Sequence, residues 1–134
     1  MRNLPKREGF TLIELLIVIV IISILATIAI SAFWRIKNRG FEASLQSDLR
    51  NLAIQQEQYF EFYQEYADSP DDLTLLEQSP GVTVLINYAA ADGWAGVATH
   101  LSMPDRHCGM LIGDAPVGDG GPADTPGRVQ CGDQ

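Results

Sequence analysis

One carboxylate stands at the edge of a long apolar run. Glu14 follows Leu12 and Ile13, and from Leu15 to Ile30 only Ser23 and Thr27 interrupt the hydrophobic residues. An acid in hydrocarbon costs about 2.5–3.5 kcal/mol on insertion scales, so it usually has a partner. No Lys or Arg lies between Arg7 and Arg35. A cut after Gly9 would give Phe10 a free amine one helical turn before Glu14. That new cation, on this chain or on a neighbour, could neutralise the acid, which the helix dipole would also favour in a first turn. The chemistry is then an ion pair created by proteolysis. The plainer alternative is a glutamate tolerated at a membrane edge by snorkelling.

Other reactive residues point to no catalysis. Ser102, His100, Asp105 and His107 can be gathered into a triad on paper, but no nucleophile-elbow motif or Gly-rich phosphate loop accompanies them. His100 and His107 read as ordinary surface or loop histidines. Cys108 and Cys131 are an even pair in a loop-rich tail. In an oxidising compartment they read as a disulfide, with two free thiols as the alternative. Closing a loop of about 23 residues would contribute about 3 kcal/mol. Zinc would need more ligands, and His100 and His107 show no suitable spacing with the cysteines. Asp114, Asp119 and Asp124 fit no EF-hand and read as a solvated acidic loop rather than a calcium site. No cofactor and no metal are expected.

The elements that would position Glu14 follow from periodicity and punctuation. Phe10 to Trp34 as a helix would be about 37 Å long, enough for a hydrocarbon core of about 30 Å. It reads as a cleaved secretory signal (with a loose site at Ala29-Ile30-Ser31-Ala32), as a plain signal anchor, or as a segment that inserts and is later drawn into a polymer. Three Lys/Arg lie close to each end, so the charge bias does not orient it. Beyond it Leu45, Leu49, Leu52, Tyr59, Tyr63 and Tyr66 keep alternating helical steps, with Gln56 the polar member of the register. Asp48, Glu57, Glu61 and Glu65 fall on other faces. One helix from Phe10 to Tyr66 would be about 85 Å long, too long for so small a globule to bury. Phe33 and Trp34 fit an interfacial belt, and the later aromatics a core.

Ser69-Pro70-Asp71-Asp72 predicts a short helix reaching Glu77 and ending at Ser79-Pro80-Gly81. Val82 to Tyr88 and Trp94 to Thr99, around Asp92-Gly93, predict a hairpin, with His107 to Ile112 as a third strand. Such a sheet needs an apolar partner, which the stripe from Leu45 supplies. Residues 113–127 hold five Gly and three Pro and read as a loop. The fold expected is α+β, with a long N-terminal helix lying over a small antiparallel sheet and a disulfide-closed C-terminal loop.

Lys6-Arg7-Glu8-Gly9-Phe10-Thr11-Leu12-Ile13-Glu14-Leu15 closely resembles the processing motif of type IV pilins, in the type IVa style, and of the pseudopilins of type II secretion. The resemblance covers about 25 residues in motif and the remainder in layout. It implies cleavage after Gly9 by a prepilin peptidase, N-methylation of Phe10, and Glu14 as the residue that pairs with a neighbouring subunit's amine in assembly. It also implies a homo-oligomeric helical filament, raised by pilus assembly machinery from the bacterial inner membrane to the cell surface. The loop bounded by Cys108 and Cys131 would face outward. Many members carry a proline near the middle of the helix, where this sequence has Ser23, Thr27 and Ser31.

The division implied is a leader at 1–9, a transmembrane or filament-core helix at 10–34, its amphipathic continuation at 35–66, and a head at 67–134 with a three-stranded sheet. Of seventeen acidic residues only Glu8 and Glu14 precede Gly40, leaving fifteen beyond it against Arg50, Arg106 and Arg128. Nonspecific nucleic-acid binding needs the opposite balance, so no nucleic acid is expected as a partner. A pseudopilin, or a minor pilin for adhesion or DNA uptake, is the alternative within the family. A membrane-anchored or secreted binding domain is the alternative outside it.

Overall fold

The computed structural model describes residues 9–133, so most of the expected leader lies outside the described residues. The first helix, α1, runs from Leu12 to Tyr63. The chain divides into two compact units, one through Lys37 and one from Asn38 onward.

In the first unit the apolar side chains of α1 are exposed, among them Leu16, Ile21, Leu25 and Ile28. Many are β-branched, which lowers intrinsic helix propensity. No Pro or Gly interrupts the helix before Gly40, and a helix satisfies every N–H and C=O within the segment, as a hydrocarbon setting would require. The hydroxyls are satisfied the same way. Ser23, Thr27 and Ser31 donate to the carbonyls of Ile19, Ile24 and Ile28 at 2.7, 2.7 and 2.9 Å. Among the described residues α1 is the helix long and apolar enough to cross a membrane.

In the second unit Leu45, Leu49 and Leu52 of α1 are fully buried. They pack on an antiparallel sheet of β1 (Val82–Ala90), β2 (Gly93–His100), β3 (Met103–Gly113) and β4 (Gln130–Asp133), paired in chain order. Val82, Val84, Trp94, Ala98, Cys108 and Met110 share the helix-side core. A bulge between Ile86 and Tyr88 shifts the register and sends Tyr88 to the opposite face. Burial of these residues, at about 1.5–3 kcal/mol for each large aliphatic side chain, is what holds the amphipathic half of the helix to the sheet.

Four features differ from the sequence reading. The sheet has a fourth strand: Cys131 lies directly opposite Cys108, and β4 pairs with β3 from Arg106 to Gly109. A four-residue strand of Gln-Cys-Gly-Asp carries too little alternation to be legible alone. The expected helix after Ser69 is only a 3-10 turn, Pro70–Asp72, with Ser69 Oγ accepting from the Asp71 N–H. Leu73 is drawn into the core at 5% exposure and ends it. Helix α1 stops at Tyr63, and Gln64 takes a left-handed conformation with φ 60°.

The fourth difference concerns the loop, 114–129. It lies against the second face of the sheet, where Ala115 and Ala123 bury against Ala95 and Leu111. Gly109 makes this possible, since a Cβ there would collide with the backbone of Gly120. The sheet is therefore covered on both sides, which explains why β2 is buried along most of its length.

Candidate functional site

The N-terminal end of α1 is built around Thr11 and Glu14. Thr11 is the cap, and Glu14 stands at the third helical position. The Glu14 carboxylate accepts from the Thr11 N–H and from the Thr11 hydroxyl, both at 2.8 Å. The Glu14 N–H in turn donates to Thr11 Oγ at 3.3 Å. This is a capping box, in which two helix-end donors that lack intrahelical partners are satisfied reciprocally. The sequence reading missed Thr11, although Thr-x-x-Glu ahead of an apolar run is itself a readable signal. The consequence is chemical: Glu14 is held by its own chain in a fixed orientation.

Gly9 and Phe10 precede the helix and are exposed, Phe10 at 81%. A Cβ added to Gly9 would meet nothing within 4 Å. Among the described residues, packing supplies no reason for glycine here.

The Cys108–Cys131 disulfide is formed, with a sequence separation of 23 residues. It lies on the helix side of the sheet, where Gln46 of α1 donates to Cys131 Sγ at 3.6 Å. Nearby, Arg106 of β3 bonds Glu42 of α1 at 2.9 Å and Asp133 of β4 at 3.0 Å. Those bonds, Glu42's first, raise the guanidinium above its ordinary value. As partly exposed pairs they add little stability, but they register helix, third strand and tail together.

The hypothetical triad does not form. His100 is buried with its ring stacked on Phe41 at 4.1 Å, and its Nδ1 accepts from the Ser102 N–H. His107 stands on the other face of the sheet, against Gly121. Asp124 is engaged by Gln130 and Thr125, which hold its carboxyl below the ordinary value, the Gln130 bond contributing most. Among the described residues Asp114, Asp119 and Asp124 form no cluster able to hold a metal ion.

Two polar side chains of α1 proved structural. Gln56 is fully buried, and its amide both donates to the Ala67 carbonyl and accepts from the Ala67 N–H, each at 2.8 Å. Asp48, placed by periodicity on an outer face, is 4% exposed and accepts from the Ser79 N–H at 2.7 Å and the Ser79 hydroxyl at 2.8 Å. Both fasten the irregular segment 64–81 to the helix. Tyr63, placed in the core by the same periodicity, is 63% exposed.

Residues 4–30 match the family model described as the prokaryotic N-terminal methylation motif. Over 101 residues the chain is 38% identical to the type IV major pilin protein PilA of Myxococcus xanthus, a match covering 75% of this chain and 46% of that protein. The chain thus spans about half the length of that relative.

Proposed function

We propose that the chain is a member of the type IV pilin family, which its N-terminal motif and its likeness to a major pilin support, and that it is the structural subunit of a type IV pilus filament, with no enzymatic activity of its own. The observation that carries this reading is the exposed apolar helix with its one acid near the start, directly after the Gly9–Phe10 junction. The precursor inserts in the inner membrane through residues 10–34, with its acidic part outside the cytoplasm. Prepilin peptidase cuts after Gly9, and the new Phe10 amine is methylated. Glu14 then exchanges its bonds to Thr11 for the amine of a neighbouring subunit, which sets the register of the incoming copy.

Lipid is as apolar as the helices, so hydrophobicity alone gives little drive to leave the membrane. Helix packing, the ion pair and the assembly machinery supply the remainder. The likeness to a major pilin favours a pilus at the cell surface over a pseudopilus.

Mass spectrometry of the mature N-terminus tests the processing step: a methylated Phe10 is expected, and an intact Met1 or a start at Ala32 refutes it. Glu14→Leu should leave processing intact while filament incorporation falls about tenfold or more, from loss of a charge-assisted bond of about 1.5–3 kcal/mol. Normal filament yield from that variant would refute the pairing step.

A further inference from the structure

Large aromatic groups gather at the end of α1 in a place the filament-core helix does not account for. Tyr59, Phe62 and Tyr63 line an open cleft of about 600 Å³ with Leu73, Leu75 and Asp72. Phe62 is 83% exposed, Tyr63 63% and Leu75 67%. The Tyr59 and Tyr63 rings lie 4.3 Å apart and brace one another. An apolar shelf with a polar rim, left in water on a helix that buries its earlier turns, has the form of an interaction site.

The rim is acidic. Asp72 lines the cleft, and Asp72, Glu65 and Asp68 all add to the burial that raises the Tyr59 hydroxyl. No Lys or Arg occurs from Asn51 to Asp105. The complement is found on α1 at the end of the apolar run. There Phe33, Trp34 and Ile36 are 60%, 54% and 70% exposed, and Arg35 and Arg39 share one helical face by their four-residue spacing. Arg39 and Tyr59 are separated by 20 residues of the same helix. At helical rise that is about 30 Å, beyond the reach of any side chain. Arg39 therefore cannot reach Tyr59 of its own chain.

We propose that the shelf of Tyr59, Phe62, Tyr63 and Leu75 is the docking site for residues 33–39 of a second copy of this chain. Ile36 of the incoming copy covers Phe62 and Leu75, while Arg35 and Arg39, on the neighbouring face, meet the carboxylates of Asp72, Glu65 and Asp68. Arginine also suits the exposed tyrosine faces. Setting residue 37 of one copy beside residue 61 of the other offsets the two helices by about 36 Å. The contact rests on the filament reading and specifies which surfaces of the subunit meet.

The test uses the full-length chain in cells, with a benzophenone amino acid placed at Phe62 and filaments sheared off after illumination. A covalent dimer joined to a peptide containing residues 33–39 is expected. Adducts confined to another segment, to lipid or to a different protein overturn the proposal. Separately, Asp72→Arg and Arg39→Glu should each lower filament yield about fivefold or more while processed subunit stays constant, and the double exchange should restore it to within about twofold. A double variant no better than either single one overturns the contact. Wild-type cells that make no filament refute the parent reading as well, whereas normal filaments from both single variants refute the shelf alone.

Discussion

Gln56 is the most exacting point in the head. Its amide bonds both backbone groups of Ala67 at 2.8 Å, and both residues are almost wholly excluded from water. Replacing it by Leu keeps the volume and the helix but orphans an N–H and a C=O. Each buried, unsatisfied group costs about 1–3 kcal/mol, and the added apolar burial returns part of that, so the net loss should be about 2–4 kcal/mol. Gln56→Glu separates hydrogen bonding from packing. An ionised glutamate can accept from the Ala67 N–H but not donate to its carbonyl, so folding raises the pKa of the introduced acid. The variant should therefore be weakest at neutral pH and recover as the pH falls. Equilibrium denaturation in detergent, read by the fluorescence of buried Trp94 with Trp34 replaced by Phe, gives both numbers. A Leu variant within about 0.5 kcal/mol of wild type would refute the assignment, since that is the range of featureless surface changes.

Three further outcomes follow from other contacts. Thr11→Val removes the hydroxyl that bonds Glu14 and should cost the helix end about 0.5–2 kcal/mol, seen as faster amide exchange at Ile13 and Glu14. Cys108→Ser with Cys131→Ser opens the covalent loop and should lower stability by about 3 kcal/mol, with β4 losing protection before the other strands; equal loss across all four strands would contradict this order. Folding lowers the Asp124 carboxyl below its ordinary value of 3.8, so its contribution is complete above that value and disappears as pH falls through the lowered one. The Thr125 N–H donates to Gln130 Oε1, which Asp124 helps to hold, so the protection factor of that amide should fall in this acid range.

Legibility tracked the range of the interaction. The apolar run, the amphipathic register at Leu45, Leu49 and Leu52, and the hairpin before and after Asp92-Gly93 are local patterns, and each element lies where its pattern put it. The N-terminal motif through Gly9, Phe10 and Glu14 was readable because its residues lie close together in sequence. Thr11 was equally readable and was overlooked beside the more conspicuous acid. Asp48 and Tyr63 were assigned to the wrong surroundings for a common reason: a 3.6-residue period gives the direction of a side chain but not what lies in that direction.

The sequence alone thus determined that a long apolar helix carries a single acid at its start and that a small antiparallel sheet must cover the helix's later turns. Hydrophobic spacing and turn residues act over a few positions and need no knowledge of the remainder. Only the tertiary structure decided that a buried amide and a buried carboxylate hold the segment after the helix, that the Gly/Pro-rich tail covers the sheet's second face, and that the aromatic end of the helix stays in water. Those outcomes depend on which groups from distant parts of the chain arrive together, because a polar group becomes an anchor only where water has been removed and a partner stands within hydrogen-bonding distance.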